Sequence, residues 1–99
     1  MKKIYARIRW LSAEEGGRKE RLPEGCRYFP TIIQKRDSTH THWSIELIVA
    51  PINSNGTSQI IFSLLMDNAE THTVENSLIK GTEFVFCEGA QIVAIGVVI

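Results

Sequence analysis

Hydrophobic and polar residues alternate along much of this chain, and the alternation has the period of a β-strand. In "KKIYARIRWL" Ile4, Ala6, Ile8 and Trp10 share one face, while Tyr5, Arg7 and Arg9 share the other. "HWSIELIVA" places Trp43, Ile45, Leu47 and Val49 together in the same way. "SQIIFSLLM" and "TEFVFCEG" are rich in β-branched and aromatic residues, and "AQIVAIGVVI" is almost continuously apolar, which predicts a strand with few solvent-facing positions. About six strands result. The segments between them, "EEGGRKERLPEG", "RDSTHTH", "PINSNGTS" and "NAETHTVENS", read as turn clusters. Asn55-Gly56 and Glu88-Gly89 are tight-turn signals of the kind that join antiparallel strands. The one helical turn this reading allows is at "AEEGG", capped by Ser12 and ended by the glycines. Short strands with glycine-marked turns predict an all-β protein, a closed antiparallel barrel spanning residues 1–99 as a single domain.

Composition sharpens the picture mainly by exclusion. At 99 residues, with 43% hydrophobic and 22% charged residues, the chain suits one core and leaves no room for a separate cofactor domain. The longest apolar runs, "IELIVAPI" and "IVAIGVVI", are too short to cross a bilayer as helices. Arg7 and Arg9 interrupt what would have to be the core of a signal peptide, so a cytoplasmic location is expected. Cys26 and Cys87 are then expected to be reduced rather than paired. The net charge of zero conceals a polarity. Residues 1–27 hold eight basic against four acidic side chains, and the remainder holds three against seven. Such a polarity suits an oriented macromolecular partner, whereas a nonspecific nucleic-acid binder would be basic overall.

Two segments together resemble one known family. "LSAEEGGRKERLPEGCRYFP" is similar to the opening of the third, C-terminal domain of bacterial elongation factor Tu, where a Glu-Glu-Gly-Gly-Arg turn leads to an aromatic-proline stretch. "GTEFVFCEGAQIVAIGVVI" resembles the close of that domain, an aromatic strand, a Glu-Gly hairpin and a valine-rich final strand. The likeness covers residues 4–31 and 81–99 and fades between them. It implies a six-stranded Greek-key barrel that contacts a GTPase domain, a nucleotide-exchange factor and the T-stem side of tRNA. By position, Arg18 and Lys19 match the family's RNA-contacting basic pair, Glu88 and Gly89 match its hairpin tip, and Thr31 falls where a contacting glutamine stands. Phe29 replaces a family arginine, and Ala90-Gln91 replaces a glycine-arginine pair, so two positive charges are missing from the implied RNA path.

The residues exclude several chemistries by themselves. No Gly-x4-Gly-Lys-Ser/Thr loop is present, so GTP binding by this chain is not expected. Gly16-Gly17 reads as a structural turn needing positive φ or close backbone approach. His40-x-His42 would point both rings to one side of an extended segment, but nothing fixes a third ligand, so no metal or other cofactor is expected. Cys87 lies among Phe84, Val85 and Phe86, a packing environment rather than that of an activated thiolate. The expectation is a non-enzymatic binding module. Arg18 is its leading contact residue, because a guanidinium grips phosphate or carboxylate in two places, or else it pairs internally with Glu14 or Glu15. A protein partner (GTPase-like domain, exchange factor or a second copy) ranks ahead of tRNA-like RNA reached through Arg18, Lys19, Glu88 and Gly89, with Arg7 and Arg9 adding charge.

Overall fold

The computed structural model describes residues 2–37, 39 and 41–99. Seven strands and one helix follow in the order β1 (Ile4–Trp10), β2 (Arg27–Tyr28), β3 (Thr31–Gln34), β4 (Trp43–Ile48), β5 (Thr57–Leu64), α1 (Ala69–Ser77), β6 (Glu83–Glu88) and β7 (Gln91–Val98). All strand pairs are antiparallel, and their order is β4-β3-β6-β7-β1-β5, with β5 returning to β4. Six strands therefore close into an all-β barrel. The two-residue β2 is extra and pairs with the end of β4, Arg27 opposite Ile48 and Tyr28 opposite Leu47.

The alternation in the sequence is the alternation in space. Ile4, Ala6 and Ile8 of β1 point inward, as do Ile45, Leu47 and Val49 along β4 and Ile60, Phe62 and Leu64 on β5. Trp10 and Trp43, at strand ends, are only half buried. Phe62, Phe84 and Phe86 form an aromatic cluster with ring centroids 5.0–5.6 Å apart. That cluster needs Gly96, since a Cβ there would lie 2.5 Å from the Phe84 ring. Between Phe86 and Cys87 the β6–β7 register slips by one residue. Val93 and Ala94 are both buried as a result, and so are Phe86 and Cys87.

Two expectations need correction. The near-continuous apolar run of β7 does not mean burial on both faces, because Ile92 and Ile95 are exposed on the outer wall. The helix is not at "AEEGG" but within the supposed turn cluster "NAETHTVENS". Residues 12–17 form hydrogen-bonded turns instead, with Ser12 Oγ accepting from the Glu15 amide at 3.3 Å. Asn68 caps α1 by accepting from the Thr71 amide at 2.9 Å, and the Asn68 amide donates back to Thr71 Oγ1. The face that α1 turns inward is Thr71, Val74, Glu75 and Leu78, spaced as i, i+3, i+4 and i+7. Half of that stripe is polar, so hydrophobic periodicity does not mark it.

Candidate binding rim

One end of the barrel gathers most of the residues the sequence singles out. The long connection from β1 to β2 crosses this end, and its position is set by backbone and side-chain contacts at several points. The Leu11 amide donates to Val93 O at 2.9 Å. Gly16 takes a positive φ of 91°. Gly17 is buried, and a Cβ on it would lie 2.2 Å from Leu11 O, so the chain passes here only without a side chain. The Gln91 side-chain amide then donates to Gly16 O at 2.9 Å and to Gly17 O at 2.8 Å, fastening the twin-glycine turn to the start of β7.

Arg18 emerges directly from that turn, and its guanidinium does not stand free. Nη1 donates to Glu88 Oε2, Nε donates to Glu20 O at 3.3 Å, and Cζ lies 5.9 Å from the centre of the Tyr28 ring. The buried Tyr28 donates its hydroxyl to the same Glu88 oxygen. Its ring in turn packs on Trp10, centroids 5.9 Å apart. Arg18, Tyr28 and Glu88 thus form a triad joining the loop, β2 and the β6–β7 hairpin. Arg18 and Glu88 keep about a third of their side-chain surface exposed.

The electrostatics of the triad follow from that geometry. Burial alone would raise the Glu88 carboxyl, but the hydrogen bonds from Tyr28 and Arg18 and the nearby positive charge outweigh it. The group sits below its ordinary 4.5. Burial first, and then the bond to Glu88, push the Tyr28 phenol well above its ordinary 10. Hydrogen bonding to Glu88 raises Arg18, fixing it as a cation whose charge is answered within the molecule.

The other sequence-derived residues fall into two groups. Thr31 begins β3 opposite Cys87, beside the triad; its hydroxyl donates to Cys87 O at 3.4 Å and lies 2.9 Å from His42 Nδ1. Gly89 turns the hairpin with a φ of 58°. Lys19 is exposed next to Arg18 and has no partner among the described residues. Arg7 and Arg9 are not part of this cluster: they stand on the outer wall of β1, where Arg9 pairs with Glu15 at 2.9 Å. Glu15 is therefore the partner of Arg9 and not of Arg18. Its carboxyl is held below the ordinary value by the Ser12 amide and by Arg9. His40 lies outside the described residues. Among those described, no three His, Cys, Asp or Glu side chains converge as metal ligands. Cys26 and Cys87 are free thiols, and burial pushes Cys87 up.

Sequence reasoning passed over two members of this site. Gln91 reads as a lost arginine, yet its amide is the clasp on the Gly16-Gly17 turn. Tyr28 reads only as part of an aromatic-proline stretch, yet its hydroxyl organises Glu88. No sequence signal marks either role, because both partners are distant along the chain. Phe29 is exposed, with the Arg27 guanidinium 5.4 Å above its ring. No helix among the described residues is long and apolar enough to cross a membrane. No protein-family model matches the chain, and no curated protein matches it significantly.

Proposed function

We propose that this protein is a non-enzymatic binding module, similar to the C-terminal barrel of elongation factor Tu, whose rim contacts another protein of the translation type. The partner is a GTPase-like domain, an exchange factor or a second copy. The observation that carries this reading is the internal pairing of Arg18 with Glu88. A guanidinium already bonded to a carboxylate and a backbone carbonyl offers little to an RNA phosphate. A rim of paired charges beside an exposed aromatic such as Phe29 suits a protein surface. No cofactor enters this reading.

RNA binding has one observation in its favour, Lys19 and Arg21 on the same loop, both exposed and without a partner among the described residues. Affinity capture from native lysate, read by both mass spectrometry and RNA sequencing, separates the two readings. The protein reading expects a protein enriched on the wild type and lost from Phe29→Ala and Thr31→Arg. Enrichment of tRNA that falls steeply with added salt, with no protein lost from the variants, would replace it with the RNA reading.

A further inference from the structure

The loop that carries Arg18 also borders a cleft that Glu88 does not line. The cleft lies between this loop and the β4–β5 connection and has a volume of about 420 Å³, within the range of small-molecule sites. Trp10, Leu22, Val49, Ile52 and Val93 give it an apolar lining. Both walls are held in place without a ligand. The Gln91 clasp, the Leu11–Val93 bond and the Arg9–Glu15 pair hold the first. The second is closed on itself by Asn53, whose Oδ1 accepts from the Thr57 amide at 3.0 Å and from the Asn55 amide at 3.2 Å. The Trp10 amide ties it to β1 by donating to Gly56 O at 3.0 Å. A preformed cavity spares a ligand the cost of ordering it.

The charge at the mouth is specific. Four basic residues border the cleft, Arg9, Arg18, Lys19 and Arg21, against the acidic Glu15 and Glu20. Glu15 answers Arg9, and Glu88, outside the cleft, answers Arg18. That leaves Lys19 and Arg21 against Glu20, one positive charge in excess, and none of these three has an ion-pair partner among the described residues. We propose that this cleft is a binding site for a compact apolar molecule bearing a single acidic group, with its body on Trp10 and Ile52 and its acid at Lys19 and Arg21. The site adjoins the partner-binding rim proposed above and shares Arg18 with it, but neither Phe29 nor Thr31 lines it. Its test uses neither Phe29 nor Thr31, so either reading can fail while the other stands.

The probe is 2-naphthoate, with uncharged 2-naphthalenemethanol as the matched alternative, titrated to millimolar concentration into the ¹⁵N-labelled protein. Saturable shifts are expected at the Trp10 indole and at the Ile52 and Asn55 amides, with the carboxylate bound about fivefold more tightly than the alcohol. Replacing both exposed cations, Lys19→Ala with Arg21→Ala, is expected to abolish that preference while leaving the rest of the spectrum in place. Ile52→Trp, which fills the cleft, is expected to weaken both ligands about tenfold. The proposal is overturned if the cleft residues do not shift, if carboxylate and alcohol bind equally to the wild type, or if the shifts centre on residues outside the cleft.

Discussion

Replacing Glu88 by alanine removes the acceptor shared by Arg18 and Tyr28, and the consequence can be worked out from their geometry. A hydrogen bond to an ionised group contributes about 1.5–3 kcal/mol when shielded from water. Here the pair is roughly a third exposed, and both donors meet one oxygen, so neither bond reaches full strength. The expected loss is about 2 kcal/mol. For a domain of this size that corresponds to a fall in melting temperature of roughly 8–16 °C. Urea unfolding at pH 7 would show it as a lower midpoint with an unchanged slope. A double-mutant cycle then separates the partners. Arg18→Ala and Glu88→Ala should fall short of additivity by about 0.5–1 kcal/mol, and Tyr28→Phe and Glu88→Ala by a similar amount.

The pH dependence has a definite sign. The folded-state pKa of Glu88 lies below its ordinary 4.5. Its contribution is therefore fully present above 4.5 and is lost as pH falls through the lower folded value. The stability gap between wild type and Glu88→Gln should be constant from pH 7 to about 5 and close in more acid solution. Additive variants, or a gap that persists unchanged at pH 2, would refute the claim that this ionised carboxylate ties the loop to the hairpin.

Four further substitutions address how the glycine turn and the helix are built. Gly17→Ala is expected to cost about 2–3 kcal/mol, because its Cβ would meet the Leu11 backbone, whereas Gly16→Ala costs about 1–2 kcal/mol for its positive φ alone; thermal unfolding of the two variants gives the order. Asn68→Ala removes the cap of α1 and should cost about 1 kcal/mol, with faster amide exchange over residues 69–77. Glu75 is buried with Oε1 unpartnered among the described residues, so Glu75→Met should raise the unfolding free energy by about 0.5–1 kcal/mol, read as a higher urea midpoint.

The barrel was legible because its inner face obeys a two-residue period. Ile4, Ala6 and Ile8, or Ile45, Leu47 and Val49, announce both strand and burial without knowledge of their neighbours. The helix was not, since α1 rests on a reciprocal cap at Asn68 and Thr71 and buries the polar Thr71 and Glu75 beside Val74 and Leu78. The outer-wall isoleucines of β7, Ile92 and Ile95, are illegible for the opposite reason. Apolar residues on both faces of a strand look alike in one dimension, whether the outer face is covered or bare.

The binding rim shows a deeper limit of reading residues in order. Arg18 is 70 positions from its partner, and the acidic candidates near it in sequence, Glu14 and Glu15, are not the ones it meets. Closure of the barrel brings β6–β7 against the first loop and so decides that Glu88 neutralises the guanidinium. Arg18 therefore becomes one half of a latch, while Lys19 beside it does not. The latch ties the loop to the hairpin with its central charge cancelled and its remaining cations, Lys19 and Arg21, bordering the cleft. Breaking the latch should consequently do more than destabilise. In Glu88→Gln the freed Arg18 would add a positive charge to the rim, and weak salt-sensitive association with tRNA should rise above that of the wild type. A gel-shift series at low salt measures this, and equal mobility shifts for both proteins would mean that the charge of Arg18 was already available to a phosphate.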